Sequence, residues 1–117
     1  MPQTIPGVKV TLYLNRDTTA THGFLHEDIL RMLAERGIRG ASVLRPYAGF
    51  GAHHMLHTEG AGPVAGEHLP VLIVFVEEEH RANAVLPELL EMVTDGMVEA
   101  HPTQILKIAS QPEKVIA

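Results

Sequence analysis

Apolar and polar residues alternate near the start of the chain and then change to a helical spacing. Residues 8–14 alternate with the period of a strand that has one buried face. After a polar stretch, apolar residues recur three and four positions apart and predict the first helix, with Gly37 just beyond its end. The apolar residues of this helix are Leu25, Ile29, Met32 and Leu33.

Two further strands and a second helix follow. Residues 41–47 predict strand 2, and because Pro46 cannot donate a hydrogen bond to a neighbouring strand, that end should lie at a sheet edge or a bulge. Residues 69–76 are nearly all apolar, as expected for a strand covered on at least one face. A second helical stripe comes next, and Pro87 within it predicts a kink or a restart. This stripe consists of Ala82, Val85, Leu86, Leu89 and Val93.

The C-terminal part contains two short extended pieces, residues 97–100 and 104–109, and one or both should form strand 4. Pro102 separates them. The resulting order, strand, helix, strand, strand, helix, strand, is that of the α+β ferredoxin-like fold. Right-handed crossovers place both helices on one face of a four-stranded antiparallel sheet. The residues of strand 1 that should face these helices are Val8, Val10, Leu12 and Leu14.

The second face of this sheet should also be covered. Strand 3 has apolar residues at both odd and even positions, so both of its faces are apolar. This predicts that the face away from the helices is buried against another subunit; the alternative is that this face is partly exposed to solvent. Between strands 2 and 3, residues 49–67 contain five glycines and show no sustained period. Long loops in small domains are usually functional or mobile, so we expect this loop to carry function.

Composition narrows the class of protein. A chain of 117 residues with 45% hydrophobic residues predicts one folded domain over residues 1–117. The absence of cysteine excludes disulfides and thiol chemistry. No apolar run is long enough to insert into a membrane, and the N-terminus does not resemble a secretory signal, so we expect a cytoplasmic protein. A net charge of −5 with scattered basic residues disfavours nucleic-acid binding.

Several segments, taken in order, resemble the PII-like domain family of unknown function, number 190. The resemblance spans roughly residues 8–109. Through that family the chain is similar, more remotely, to the PII signal-transduction proteins, which are ferredoxin-like trimers that bind adenine nucleotides between subunits. The segments are His-Gly at 22–23, Gly-Ile-Arg-Gly-Ala-Ser-Val-Leu-Arg at 37–45, Ala-Gly-Phe-Gly at 48–51, His-Thr at 57–58 and Leu-Pro-Val at 69–71.

The resemblance implies where a ligand would bind. It places Gly49, Phe50 and Gly51 at the start of the effector loop of PII proteins. It also places Gly96, together with the residue before it, where PII proteins carry a second phosphate-binding loop. His57 and Thr58 belong to the shared motifs and are ligand-binding candidates as well. A homotrimer and a protein partner such as a membrane transporter are further implications.

The residue types allow two interpretations of the ligand-binding candidates. Gly49 and Gly51 lack side chains that would block a ligand, so the backbone amides around Phe50 are suited to phosphate oxygens; a plain bulge is the alternative. Arg45 presents a planar fork that suits a phosphate or carboxylate, and a solvated edge residue is its alternative role.

Histidines offer a different chemistry. His53, His54 and His57 are grouped in the long loop and are candidate ligands for a divalent metal, with a solvated or pH-responsive loop as the alternative. His22 and His26 are spaced to meet on a first helical turn, although capping or surface placement is the simpler expectation.

Catalysis has little support in the sequence. No recognisable serine nucleophile motif is present, and the acidic residues 77–79 should stabilise a helix N-terminus. The sequence therefore predicts a non-enzymatic PII-like regulator that binds a small anionic ligand, an adenine nucleotide among the candidates, between subunits of a homotrimer. A histidine-loop protein that binds a divalent metal is the alternative, on fold analogy alone.

Overall fold

The computed structural model describes residues 3–50, 57–58 and 69–109. Two helices and a set of long and short strands occupy these ranges. In chain order they are β1 (Ile5–Asn15), β2 (Thr19–Ala20), β3 (Gly23–Phe24), α1 (Leu25–Glu35), β4 (Ser42–Leu44), β5 (Ala48–Gly49), β6 (His57–Thr58), β7 (Pro70–Glu78), α2 (Glu79–Met92) and β8 (Met97–Ile105).

Four of these strands form one antiparallel sheet in the order β4-β7-β1-β8. The central pair, β1 and β7, is in register from Gly7 opposite Glu78 to Asn15 opposite Pro70. Helix α1 connects β1 to the edge strand β4, and α2 connects β7 to the other edge strand, β8. The predicted α+β, ferredoxin-like fold is thereby confirmed.

Alternate residues of the two central strands bury their side chains under the helices. Val8 is half-buried and packs against this core, so the predicted helix-facing parity of β1 is confirmed. Burying an aliphatic or phenyl side chain of this kind contributes about 1.5–3 kcal/mol. The core consists of Val10, Leu12, Leu14, Leu25, Ile29, Met32, Leu33, Ile38, Val71, Ile73, Phe75, Val85 and Leu89.

The end of the first helix was predicted correctly, whereas the predicted restart of the second helix at Pro87 is not observed. Helix α1 ends before Gly37, whose φ of +83° is the left-handed conformation expected just beyond a helix. Helix α2 runs through Pro87 without restarting there. The proline deprives the carbonyl of Asn83 of its intrahelical donor, but both residues are exposed, so water can take the place of that donor.

The edge strands also differ from the prediction. Strand β4 covers only three residues rather than 41–47, and it ends just before Pro46, at a sheet edge as expected. Strand β8 is continuous through Pro102 instead of consisting of two pieces, and it stops at Ile105. An edge strand tolerates this proline because it has a neighbour on one side only.

The face of the sheet opposite the helices has an apolar half and a polar half. The apolar half lies on β4 and β7, where Leu72 and Val74 are half-buried and Leu44 and Val76 are exposed. The polar half lies on β1 and β8, and there the hydroxyl of Tyr13 donates a hydrogen bond to Glu99 (2.7 Å). The excess of apolar residues predicted for this face is therefore present on β7. Among the described residues, no helix has the length and apolar character to span a membrane.

Candidate functional site

One end of the sheet gathers segments that are far apart in sequence. Strands β1 and β4 end there, and β7 and β8 begin there. The backbone N–H of Arg16 donates to the carbonyl of Leu69 (2.7 Å), which joins the segment after β1 to the segment before β7. The side-chain amide of Asn15 donates to Asp95 (3.2 Å), which joins the end of β1 to the turn before β8.

The predicted glycine turn after strand 2 lies at this same end. Strand β5 pairs with β6, Ala48 opposite Thr58 and Gly49 opposite His57, so two sequence-predicted segments meet in a short ladder. A Cβ added at Gly49 would lie 3.9 Å from Cγ of Pro70, in ordinary contact with the first residue of β7. Gly49, Phe50 and the backbone of 57–58 are therefore close to the sheet end, and Gly51 lies outside the described residues.

Gly96 has a structural requirement of its own. Its φ of +131° is strained for any residue with a side chain, and a Cβ there would collide with the carbonyl oxygen of Tyr13. Glycine at this position allows β8 to begin in close contact with β1. A ligand-binding role for Gly96 stays a prediction beside this demonstrated packing role.

An open cleft of about 300 Å³ lies beside the N-terminus of α1. Strands β2 and β3 pair just before this helix, Thr19 opposite Phe24, and the N–H of Leu25 donates to the carbonyl of Thr18 (2.8 Å). The aromatic rings of Phe24 and His26 stack with their centroids 6.0 Å apart and their planes within 17°. The cleft is lined by Arg16, Asp17, Phe24, His26, Glu27 and Arg45.

Sequence reasoning identified Arg45 and considered His26, but it missed the other residues of this cleft. Within the described ranges, the guanidinium of Arg45 and the carboxylate of Glu27 have no hydrogen-bond or ion-pair partner. The Nδ1 atom of His26 is buried and likewise has no hydrogen-bond partner there. The residue types were evident from the sequence. The strands β2 and β3, which bring these residues together, are only two residues long and therefore produce no detectable hydrophobic period.

The opposite end of the sheet contains a buried ion pair that sequence reasoning did not predict. Glu77 is 1% exposed, and its carboxylate accepts hydrogen bonds from the backbone N–H of Arg39 (3.1 Å) and from its guanidinium (2.5 Å). The backbone N–H of Glu78 donates to the same carboxylate (2.9 Å). Burial raises the pKa of Glu77, but these hydrogen bonds lower it more, and the net pKa is about 2.

Of the acidic residues 77–79, only Glu79 lies in the first turn of α2, where the sequence predicted all three to act. Glu79 is the first residue of α2 and Glu78 precedes it. Glu78 also accepts a hydrogen bond from Arg39 (2.5 Å). The carboxylates of Glu77 and Glu78 therefore connect the end of β7 to the turn before β4.

The metal-binding hypothesis falls mainly outside what the structure describes. His53 and His54 lie outside the described residues, and only the backbone of His57 is described. Of the other two candidates, His22 is exposed and His26 lines the cleft. Where side chains are described, no three histidine or carboxylate groups converge in a way that would hold a metal ion.

Comparison with known proteins gives matches of sequence and of fold. The model of the DUF190 family, described as "Uncharacterized ACR", matches residues 7–105. The UPF0166 protein of Aquifex aeolicus (strain VF5) is 42% identical over 62 residues, which are 53% of this chain and 64% of that protein. This match therefore spans less than two thirds of the relative's length.

The solved structures that resemble the chain include CPII, a nitrogen regulatory PII-like protein from Thiomonas intermedia K12. Its structure bound to ADP, AMP and bicarbonate has a TM-score of 0.65 at 15% identity and covers 92% of this chain and 94% of that chain. Its structure bound to ADP and bicarbonate has a TM-score of 0.62 at 17% identity, with coverages of 92% and 95%. At these identities the likeness concerns the fold, which is PII-like. Because the family match extends over most of the residues, from Gly7 in β1 to the end of β8, this chain belongs to the DUF190 family.

Proposed function

We propose that the chain is a cytoplasmic, non-enzymatic PII-like regulatory protein that binds a small anionic ligand at the sheet end around Arg45 and Gly49. The observation that carries this proposal is the guanidinium of Arg45, which lines a cleft and has no partner among the described residues. An adenine nucleotide is the first ligand class to test, because CPII, whose fold this chain shares, is bound to ADP and AMP in its structure.

The proposed binding mode follows from the residue types at this end of the sheet. Arg45 offers a planar fork to a phosphate or carboxylate group. Gly49 has no side chain to block a ligand, and the segment around Phe50 and residues 57–58 adjoins it through the β5–β6 ladder. Gly51 and Gly96 complete the set of proposed ligand contacts.

Regulation would act through residues 49–67. A ligand that contacts one conformation of this segment better than another shifts the population toward that conformation. The segment would then present or hide a surface for a protein partner, for which a membrane transporter is the candidate that the family resemblance implies.

We further propose that the protein is a homo-oligomer, a trimer in the first instance, with its ligand sites between subunits. The apolar half of the open sheet face supports association, since Leu44 is 50% exposed and Val76 is 44% exposed on adjoining strands. Contiguous apolar surface of this kind marks interaction sites in soluble proteins. Covering it with a second copy would remove these side chains from water.

The ligand proposal is tested by isothermal titration with ADP, AMP, ATP and inorganic phosphate on the wild type and on Arg45→Ala. We expect nucleotide binding in the wild type and a dissociation constant raised about tenfold or more in the variant, because a charge-assisted hydrogen bond is lost. Arg31→Ala is the matched control, since Arg31 is exposed on α1, pairs with Asp28 (2.7 Å) and does not line the cleft.

Two outcomes would contradict the ligand proposal. One is the absence of any nucleotide or phosphate binding. The other is a thermal shift produced only by zinc or copper and abolished when His53, His54 and His57 are changed to Ala, which would favour the metal-binding alternative.

The assembly proposal is tested by light scattering. Val76→Glu places a charge on the apolar half of the open face and should shift the protein toward the monomer. Leu90→Glu is the control, because Leu90 is 59% exposed on α2, away from that face. A monomeric wild type at micromolar concentration would rule out sites between subunits.

A further inference from the structure

The cleft beside α1 contains charged groups of both signs. Two guanidinium groups and two carboxylates line it, so their formal charges cancel. A ligand that carried only negative charge would meet Asp17 and Glu27 as well as the two arginines. A ligand with one group of each sign fits this lining better, because each charge then has an opposite partner.

Three polar groups of the cleft lack partners within the described ranges. They are the guanidinium of Arg45, the carboxylate of Glu27 and the buried Nδ1 of His26. Arg45 and Glu27 are exposed residues whose charged groups a ligand can reach, whereas the Nδ1 of His26 is shielded from the cleft. The two charged groups have opposite signs, so a matching ligand should carry one negative and one positive group.

The cleft also has an apolar wall and a limited size. The ring of Phe24 is 44% exposed, and it is held by stacking on His26. At about 300 Å³ the cleft is at the lower end of the range of about 300–1,000 Å³ that is usual for ligand pockets. These features favour a small molecule with a short apolar part.

We propose that this cleft binds a small zwitterion that carries a carboxylate and a protonated amine, of which an α-amino acid is the simplest example. The carboxylate pairs with the planar fork of Arg45, and the ammonium donates to Glu27. The side chain of the ligand packs on the exposed ring of Phe24. The inference rests on the proposed function, since both take Arg45 as a ligand contact, and it names a second ligand class for that site.

The chemical test is isothermal titration of the wild type with the standard amino acids and with analogues that lack one charge. N-acetyl amino acids lack the ammonium, and amino acid amides lack the carboxylate. We expect at least one amino acid to bind, and each of its one-charge analogues to bind about tenfold or more weakly. No amino acid binding at millimolar concentration, or equal binding of an analogue, would overturn the inference.

The mutational test separates this inference from the proposed function. Glu27→Gln should raise the dissociation constant of the amino acid about tenfold or more and leave that of ADP unchanged or lower, because only the ammonium needs the carboxylate. Arg45→Ala should weaken both ligands, and Arg45→Lys, which keeps the charge but loses the fork, should weaken the amino acid as well. Glu35→Gln and Arg31→Ala, on the exposed part of α1, are the matched controls.

The outcomes are distinguishable. If ADP binds through Arg45 and no amino acid binds, the zwitterion inference fails while the proposed function stands. If an amino acid binds and Glu27→Gln has no effect on it, the inference also fails. If amino acid binding depends on both Arg45 and Glu27 while nucleotides do not bind, the inference stands and the nucleotide part of the proposed function fails.

Discussion

At the end of the sheet where β7 runs into α2, Glu77 and Arg39 form an ion pair in which both oxygens of the carboxylate accept hydrogen bonds. At the opposite end, Arg45 and Glu27 line an open cleft without partners among the described residues. The first arrangement satisfies a buried charge and therefore stabilises the fold. The second leaves charges available, and charges that do not serve stability are the ones a ligand can use.

The comparison does not mean that the open end is loosely built. Its backbone is held by Gly96 against Tyr13 and by the hydrogen bond from Arg16 to Leu69. This end therefore combines a closely packed backbone with Arg45 and Glu27, whose charged groups have no partner among the described residues. A binding site benefits from this combination, because a backbone that is already packed loses less entropy when a ligand is bound.

The largest change in stability is expected from a substitution at Gly96, in the backbone at the cleft end of the sheet. Gly96→Ala adds a Cβ in a strained conformation and against a carbonyl oxygen, so unfolding should become easier by roughly 2–6 kcal/mol, from strain and from displacement of the neighbour. Urea denaturation measures the change. Gly40→Ala is the control, since a Cβ there meets nothing within 4 Å and its stability should change little. Equal stabilities of the two variants would show that Gly96 is not needed for the close contact between β8 and β1.

The second prediction concerns the effect of pH at the end of the sheet where Glu77 pairs with Arg39. The folded-state pKa of Glu77 is about 2, below its ordinary value of 4.5, so the unfolded state binds more protons between these values. Its contribution is present above pH 4.5, and about 3 kcal/mol should be lost as the pH falls toward 2. The difference in unfolding free energy between the wild type and Glu77→Gln should therefore shrink over this interval. A difference that stayed constant from pH 6 to pH 2 would contradict the assigned role.

The third prediction removes the buried carboxylate at neutral pH. Glu77→Ala leaves two backbone N–H groups and the guanidinium of Arg39 without their acceptor, and it should cost about 2–3 kcal/mol. The cost is at the low end for a buried pair because Arg39 is 40% exposed and water can reach it. Glu88→Ala, at the exposed pair with Arg36, is the control and should change the melting temperature much less.

The smallest effect on stability is expected at the open cleft. Arg45→Ala removes a side chain without partners in the described ranges, and the free energy of unfolding should change by no more than about 0.5 kcal/mol. Thermal melting without ligand checks this. A loss as large as that of Glu77→Ala would mean that Arg45 supports the fold, and the contrast between the two ends would disappear.

Much of the fold could be predicted because long elements leave a periodic signal. Residues 8–14 alternate and lie within β1, and the apolar spacing from Leu25 to Leu33 became the buried face of α1. Two proline predictions were wrong in part. A helix continued through Pro87 and a strand through Pro102, because each proline lies where the missing hydrogen bond is tolerated, on an exposed helix face and in an edge strand.

The candidate site was predicted only where a motif marked it. Arg45, Gly49 and Gly96 were singled out from the sequence, and they lie at one end of the sheet. Arg16 and Glu27 were missed, because strands of two residues, such as β2 and β3, are too short to produce a period. No local pattern relates Arg39 to Glu77, which are 38 positions apart.

The sequence by itself determined the strand and helix order, the helix-facing parity of β1 and the apolar excess on β7, since each follows from the spacing of apolar residues along a single segment. Only the tertiary structure decided which charges meet. It brought Arg39 onto a buried Glu77, and it placed Arg45 and Glu27 in the lining of one cleft. The physical reason is that the contribution of a charge depends on its distance from other charges and from water, and those distances exist only in the folded chain.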